Sequence, residues 1–263
     1  MIAIDLDVLR NIMPRFSGAN HSKQARIVEA IAGTMQATLE KYEIDTALRI
    51  AHFLAQIAHE SAGFRTTEEF ASGAAYEGRR DLGNSEPGDG RRYKGRGLLQ
   101  LTGRANYRAL GKKIGMDLEG EPELAAEPAT SLVIACEYWK DRKINRHCDR
   151  DDLIRVTKAV NGGLNGLEDR RRYLSKAKTA IARVEALGQA ANAKSGPRPV
   201  LRRGLKGGQV SDLQRMLREK GYMVAIDGDF GPATETIVKQ FQKNKKLGAD
   251  GIVGPKTWQA LEG

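Results

Sequence analysis

The sequence predicts a mainly α-helical protein that is divided into two unequal domains. Apolar residues recur at helical spacing in two long segments, residues 48–60 and 169–187. A stretch of small and polar residues with two prolines follows at 188–199 and is typical of a linker. The tail beyond it contains a short internal repeat. We therefore predict one domain at residues 1–187 and a second at residues 200–263.

The composition is that of an ordinary globular chain. Hydrophobic residues make up 40% of the 263 residues, and no apolar run approaches the roughly 20 residues that a membrane span needs. The N-terminus lacks a basic segment followed by an apolar one, so we expect neither a secretory signal nor stable membrane insertion. The two cysteines, Cys136 and Cys148, are accordingly expected to be reduced thiols.

The formal net charge of +10 predicts an anionic partner. The basic residues are spread along the chain, and neither a base-reading helix nor an RNA-binding aromatic signature accompanies them, so no nucleic acid is expected. The pair His59-Glu60 is not followed by a second histidine at the spacing of a zinc-binding helix. We therefore expect no metal and no cofactor, and the anionic bacterial envelope is the remaining candidate partner.

The repeat in the tail predicts a small domain of three helices. The sequence DGDFGPAT at 227–234 recurs as DGIVGPKT at 250–257. Each copy is a glycine-containing turn followed by a proline, which suits the first turn of a helix. An apolar stripe at Val210, Leu213 and Leu217 predicts a third helix upstream. A domain this small has little room for a catalytic pocket, so binding is its expected role.

Residues 205–261 resemble the three-helix peptidoglycan-binding domain of bacteria. The resemblance is carried by the segment LKGG at 205–208, by both DG turns, and by the closing PKTW at 255–258. It implies bacterial peptidoglycan as the ligand. The candidate wall-binding residues are Asp227, Phe230, Asp250 and Trp258.

The first long apolar helix ends in polar residues. Gln56 and Glu60 lie one helical turn apart and therefore share a face. Burial disfavours the charged form of a carboxyl, and a protonated carboxyl is what a general acid needs. Glu69 follows nearby, and glycosidic cleavage usually needs two carboxylates. Glu68 and Glu77 are also close in the sequence and remain alternatives to Glu69.

Two later segments supply groups that are suited to sugars. A glycine-rich stretch at 88–97 continues into LLQLTGRANY at 98–107, and NGGLNG occupies 161–166. Glycine lets a ligand approach the backbone closely, and amide and hydroxyl side chains can bond sugar hydroxyls and acetamides. Each segment is weak evidence alone, since a glycine-rich turn is usually only a turn.

In combination, three motifs resemble those of the chitinase-like glycoside hydrolase family 19. They are FLAQIAHESAGF at 53–64, KGRGLLQLTGRANY at 94–107 and NGGLNG at 161–166, and the resemblance extends over residues 45–173. It is greatest to compact versions in bacteriophage lysins. The family implies a helical, lysozyme/chitinase-like fold with two lobes and a cleft. It also implies inversion of configuration, for which the two carboxyls stand about 6.5–9.5 Å apart.

The resemblance implies a role for each matching residue. Glu60 matches the general acid, Glu69 the base that activates water, and Thr102 a residue that helps to hold that water. Arg170 matches an arginine near the carboxylates. The full set of matched substrate-binding residues is Gln56, His59, Gln100, Asn106, Tyr107, Asn161 and Arg170.

These resemblances predict a bacteriophage-type endolysin that hydrolyses the glycan strands of peptidoglycan. It would be a monomer that accumulates in the host cytoplasm and reaches the wall through a separate membrane-permeabilising protein. Two alternatives remain open. A lytic transglycosylase would use a single catalytic glutamate and leave an anhydro-sugar end, and a non-catalytic protein would only bind the wall.

Overall fold

The computed structural model describes residues 2–194 and 198–263, and it confirms the mainly helical fold. Within these ranges the backbone forms isolated β-bridges but no strand. The chain divides into two compact units, residues 1–188 and 189–263. None of the described helices is both long and apolar enough to cross a membrane.

In the first unit the described residues form nine α-helices, which we label in chain order. They are α1 (Leu6–Ile12), α2 (Gly18–Lys41), α3 (Ala47–Glu60), α4 (Asp89–Arg92), α5 (Arg104–Ile114), α6 (Pro128–Asp141), α7 (Asn145–Cys148), α8 (Leu153–Asn161) and α9 (Leu167–Lys194). Short 3₁₀ helices occupy Ala74–Tyr76, Arg80–Leu82 and Pro122–Ala126.

Helix α3 is the central element of the larger core. Thr46 caps its start by accepting a hydrogen bond from the Arg49 N–H, and the residues from Ile50 to Ala58 are all buried. Phe53 packs edge-to-face against Trp139 of α6, with the ring centroids 5.2 Å apart. This packing fixes the axis of α3 and therefore the position of Glu60 at its C-terminal end.

A second, smaller hydrophobic cluster lies around α5. Tyr107, Leu110 and Leu118 are buried there together with Ile134 of α6. The rings of Tyr93 and Tyr107 meet edge-to-face with centroids 5.4 Å apart. The first unit therefore has two hydrophobic clusters, as a two-lobed domain requires.

Helix α9 continues beyond its predicted end. The sequence predicts this helix at 169–187, whereas the structure extends it to Lys194, so residues 188–194 of the predicted linker are helical. The segment GQAANAK contains no proline, and alanine has the highest helix propensity, which accounts for the continuation. Residues 195–197 of the predicted linker lie outside the described residues.

From residue 198 onward, the described part of the second unit forms the predicted three helices. They are α10 (Gly208–Glu219), α11 (Pro232–Asn244) and α12 (Pro255–Glu262). The prolines of both repeats occupy the first helical turn, as their sequence context predicts. Leu213, Leu217, Phe230, Phe241 and Trp258 form the centre of its core.

Candidate active site

Glu60 lies at the last position of α3 and is bound by an arginine from α9. Arg170 Nη2 donates to Glu60 Oε1 at 2.5 Å, and the guanidinium is completely buried. The Glu60 side chain keeps 18% of its surface exposed. The structure thus gives Glu60 a buried positive charge on one side and access to solvent on the other.

The same arginine also bonds to Gln56, one turn earlier on α3. Arg170 Nη1 donates to Gln56 Oε1, and Gln56 Nε2 donates to Thr157 Oγ1 at 3.4 Å. Arg170 Nε donates to the carbonyl of Asn165 at 3.1 Å. Gln56 is fully buried in this network. It therefore orients Arg170, and its predicted substrate contact does not fit this position.

His59 joins α3 to the segment before α9. Its Nδ1 lies 2.7 Å from Asp169 Oδ2, and its ring lies beside Gly166. A Cβ at Gly166 would lie 2.2 Å from His59 Cε1, and the φ of +71° at this position also favours glycine. The third sequence motif therefore contacts the first, and His59 contributes to that contact.

Glu69 is held by neutral donors. Tyr76 Oη donates to Glu69 Oε2 at 3.0 Å, and the backbone N–H of Gly95 donates to Glu69 Oε1 at 2.8 Å. The Glu69 N–H donates in return to the Gly95 carbonyl at 2.9 Å. These bonds anchor the carboxylate to the second sequence motif.

Three predicted residues converge on Gly95. A Cβ added there would lie 2.9 Å from Gln100 Oε1 and 3.3 Å from both Glu69 Cδ and Thr102 Oγ1. The absence of a side chain at this position is what allows the three to meet. Glu69, Gln100 and Thr102, separated in the sequence, therefore form one polar group.

The backbone at Gln100 is strained. Its φ of +54° lies in the left-handed region, which is uncommon for a residue other than glycine. The turn is closed by hydrogen bonds between Arg96 and Leu101, and Gln100 Nε2 donates to the Gly97 carbonyl at 2.9 Å. Such strain is found disproportionately at functional sites.

The two alternative acids have structural partners. Glu77 accepts hydrogen bonds from the backbone N–H groups of Gly88 and Gly90, at 2.6 and 2.9 Å, and so fixes that turn. Glu68 forms ion pairs with Lys94 and Arg96, each at 3.2 Å. Glu69 differs from both in lying beside Gln100 and Thr102 at Gly95.

A cavity of about 680 Å³ lies next to Glu60. Four more predicted residues line it, namely Gln100, Thr102, Asn106 and Asn161. Asn106 Nδ2 donates to the Thr102 carbonyl at 2.7 Å. All three sequence motifs thus contribute to the lining of one cleft.

Tyr107 lies behind the cleft rather than on its surface. It is fully buried, and its hydroxyl donates to the Lys94 carbonyl at 2.7 Å. The Tyr107 hydroxyl oxygen in turn accepts a hydrogen bond from Arg96 Nη1 at 3.2 Å. Burial raises the pKa of Tyr107 to about 12. The predicted substrate contact does not fit, because the hydroxyl is already bonded to the segment that carries Gly95.

The sequence alone did not identify three of these contributors. Tyr76 binds Glu69, but it lies in a short 3₁₀ helix with no recognisable motif. Tyr138 of α6 and Arg142, the residue that follows this helix, line the cleft, with the guanidinium 4.2 Å from the ring centroid. Tyr138 and Arg142 are four residues apart, which places them on one face of a helix. This spacing would have predicted them as cleft residues only if the side of α6 that faces the cleft had been known.

In the second unit, a glutamine organises the first copy of the repeat. Gln214 Nε2 donates to Asp227 Oδ1 at 2.7 Å, to the Asp229 carbonyl at 3.0 Å and to Thr234 Oγ1 at 3.1 Å. Its Oε1 accepts from the Gly228 N–H at 2.9 Å. Hydrogen bonds from the Asp229 N–H and from Gln214 lower the pKa of Asp227.

The second copy repeats this network. Gln242 Nε2 donates to Asp250 Oδ1 and to the Ile252 carbonyl, both at 2.9 Å, and to Thr257 Oγ1 at 3.1 Å. Its Oε1 accepts from the Gly251 N–H at 2.9 Å. The sequence repeat is therefore a structural repeat, in which a buried glutamine holds each turn to the next helix.

The four candidate wall-binding residues are engaged in the fold. Phe230 and Trp258 are 0% and 3% exposed, and Trp258 Nε1 donates to the Pro199 carbonyl at 2.9 Å. Asp227 and Asp250 each use one carboxylate oxygen to hold a turn. Direct wall contact through the two aromatic rings does not fit, because both lie in the core.

Comparison with known proteins supports both units. Residues 23–158 match the family model of chitinase class I, glycoside hydrolase family 19, and residues 206–261 match that of a putative peptidoglycan binding domain. The chain is 30% identical over 174 residues to a glycosyl hydrolase family 19 domain-containing protein of Haemophilus influenzae. That match covers 54% of this chain and 85% of the relative.

Plant enzymes match over shorter stretches. Acidic endochitinase Q of Nicotiana tabacum is 36% identical over 114 residues, and the match covers 42% of each chain. Chitinase C from Streptomyces griseus has a similar fold, with a TM-score of 0.50 at 20% identity, over 69% of this chain and 77% of that one. The family model covers more than half of the sequence, so the chain belongs to glycoside hydrolase family 19 and carries a C-terminal peptidoglycan-binding domain.

Proposed function

We propose that the chain hydrolyses β-1,4 bonds in the glycan strands of bacterial peptidoglycan by an inverting acid/base mechanism. The observation that carries the proposal is the pairing of two differently held carboxylates, Glu60 and Glu69, with a peptidoglycan-binding domain in one chain. Chitin and peptidoglycan share β-1,4-linked N-acetylated sugars, and the binding domain favours peptidoglycan as the substrate.

Glu60 is the proposed general acid. It reaches the cleft from the end of α3 and would give its proton to the oxygen of the leaving sugar. Arg170 lies where it would stabilise the carboxylate that remains after this transfer. Gln56 and the Asn165 carbonyl hold the guanidinium in place, so this stabilisation would need no rearrangement.

Glu69 is the proposed general base. Its carboxylate accepts hydrogen bonds from Tyr76 and Gly95, and these bonds fix the direction of its remaining acceptor positions. The hydroxyl of Thr102 lies on the same side of Gly95, where it would help to hold the attacking water. The water would attack the anomeric carbon from the face opposite to Glu60, which inverts its configuration.

The C-terminal domain would keep the catalytic unit on the wall. Tethering raises the effective concentration of the cleft near its substrate. The net charge of +10 adds attraction to the anionic envelope, and salt screens such attraction. We expect co-sedimentation with purified sacculi to weaken as salt rises, and binding that is indifferent to salt would remove charge from the account.

We further propose that the chain acts as a monomeric bacteriophage-type endolysin, which waits in the host cytoplasm until a separate protein permeabilises the membrane. The proposal is tested by expressing the chain in bacteria with and without a pore-forming protein. Lysis that requires both proteins supports it. Lysis by the chain alone, or a lack of lysis with both, would contradict it.

The anomeric form of the first product tests the mechanism. Soluble glycan strands are digested inside an NMR tube, and the new reducing ends are observed before they equilibrate. Inversion of a β bond gives the α anomer first. The β anomer first would indicate retention, and anhydro ends without any reducing ends would favour a lytic transglycosylase.

A further inference from the structure

A second depression lies beside the segment that carries Glu69. Its volume is about 510 Å³, and it is bounded by α2, by residues 65–68 and by the start of α6. None of its lining residues belongs to the cleft at Glu60. The family resemblance assigned no residue of this depression a role.

The lining carries three positively charged side chains. Lys23 and Arg26 lie one turn apart on α2, both are exposed, and neither forms an ion pair in the part of the chain that the structure describes. Arg65 lies between two rings, with its guanidinium 5.3 Å from the centroid of Phe16 and 5.2 Å from that of Phe70. The rings fix the guanidinium without neutralising it.

Arg65 also has an unmet hydrogen-bond donor. Its Nε is buried and has no acceptor among the described residues. Buried donors are nearly always bonded, so an orphaned one needs an explanation. The planar guanidinium of Arg65 lines the depression and is suited to a carboxylate, and a small reorientation of the side chain would bring Nε to the same ligand.

The acidic side chains of the lining do not cancel this charge. Glu68 is paired with Lys94 and Arg96, each at 3.2 Å. Glu127, at the start of α6, is the remaining carboxylate of the lining. The depression therefore keeps an excess of positive charge.

The depression and the proposed base lie on one extended segment. Glu68 pairs with Arg96 as an antiparallel bridge, and adjacent side chains of such a segment point to opposite sides. Glu68 lines the depression, whereas Glu69 bonds to Gly95 on the other side. A peptide attached to a sugar at Glu69 would reach the depression by passing around this segment. Three extended peptide residues span about 10 Å, which is enough for such a path.

We propose that the depression binds a carboxylate of the peptide that branches from peptidoglycan, and that it makes the enzyme favour peptidoglycan over chitin. This inference rests on the proposed glycan hydrolysis. Peptidoglycan carries peptides with free carboxylates on alternate sugars, and chitin carries none. Lys23, Arg26 and Arg65 supply the charge and the donors for such a group.

The test compares the full chain with the double variant Lys23→Gln/Arg26→Gln on three soluble substrates. These are peptide-bearing glycan strands, the same strands after an amidase has removed the peptides, and chitin oligosaccharides. The matched control is Lys112→Gln/Arg146→Gln, which removes the same charge from exposed positions outside both cavities. We expect the pocket variant to lose about tenfold in kcat/KM, mainly through KM, on peptide-bearing strands only.

Each other outcome overturns the inference. An equal loss on strands without peptides would mean that the cations act on the glycan itself. An equal loss in the control variant would mean that only net charge matters. The peptide-bearing strands are prepared with and without their wall phosphate polymers, and a loss seen only on the strands that keep these polymers would identify a phosphate ligand instead. If the unmodified chain cleaves none of the three substrates, the proposed hydrolysis itself fails, and the inference fails with it. A loss in the double variant alone leaves the proposed hydrolysis standing, because the unmodified chain is then active.

Discussion

Glu60 and Glu69 lie in contrasting environments. Glu60 ends a buried helix and is paired with Arg170, which is 110 positions away in the sequence. Glu69 lies in a loop and is held by Tyr76, seven positions away, and by the Gly95 N–H. The proposed acid is held by the buried charge of Arg170, which is distant in the sequence. The proposed base is held by neutral donors that are closer to it along the chain.

The contrast predicts how each carboxylate responds to change. Displacing α9 from α3 would disturb Glu60 together with the main core. Altering the loop around Gly95 would disturb Glu69 while leaving that core intact. Variants of the Glu69 group should therefore lose activity with little loss of stability, and variants of the Glu60 group should lose both.

The largest expected effect is that of Glu69→Gln. Without a base, hydrolysis should fall about a thousandfold, measured as new reducing ends from purified sacculi. Glu68→Gln and Glu77→Gln are the matched controls. They should retain activity within about tenfold, because Glu68 pairs with basic side chains and Glu77 holds a turn. A thousandfold loss in Glu77→Gln with normal activity in Glu69→Gln would reverse the assignment.

Gly95→Ala tests whether Glu69, Gln100 and Thr102 need the space that a glycine leaves between them. The new Cβ would lie 2.9 Å from Gln100 Oε1 and would press on Glu69 and Thr102. We expect a loss of activity of about a hundredfold, since small displacements of catalytic groups are costly. The melting temperature should change little.

Gly33→Ala is the matched control for this variant. Gly33 lies within α2, and a Cβ there would meet no other atom within 4 Å. Activity should be unchanged, and the free energy of unfolding should rise by about 0.5–1 kcal/mol. Equal activity in both variants would show that the space at Gly95 does not matter.

Arg170→Lys tests the hydrogen bonds by which Arg170 holds Glu60. Lysine keeps the charge but cannot bond Gln56, Glu60 and the Asn165 carbonyl together. We expect the free energy of unfolding to fall by about 1–3 kcal/mol, and hydrolysis to fall about tenfold.

The neighbouring Arg171→Lys is the control for this effect. Arg171 is 57% exposed and pairs with Glu168, so chemical denaturation and activity should both be unaffected. Arg170→Lys with normal stability and activity would show that the buried network does not support the acid.

Tyr76→Phe should have the smallest effect. It removes one neutral hydrogen bond to Glu69, which corresponds to a loss in kcat of about fivefold. Tyr222→Phe is its control, because that hydroxyl accepts from Asn244 in the C-terminal unit. If both variants have the same kcat, the Tyr76 hydroxyl does not contribute to the base.

Local patterns predicted the elements that are regular along the chain. The apolar run before Glu60 predicts α3, and the repeated DG turns with proline predict the three C-terminal helices. Helix α9 continues through residues 188–194, beyond the helical pattern predicted at 169–187 and into the predicted linker. Small side chains are compatible with both states, and only proline would have excluded a helix.

The site was less accessible from the sequence, because burial of a polar side chain depends on distant packing. Gln56 and Tyr107 were predicted to contact substrate, yet both are buried and bond to arginines. Phe230 and Trp258 likewise form core. Tyr76 was missed because it lies in a 3₁₀ helix of three residues, which is too short to give a periodic signal in the sequence.

The central claim is that Glu60 drives hydrolysis of peptidoglycan glycan strands. Its most direct test is mass spectrometry of the fragments that the chain releases from purified sacculi, compared with those released by Glu60→Gln. We expect glycan fragments with hydrated reducing ends from the unmodified chain and none from the variant. Anhydro ends, or equal release by the variant, would contradict it.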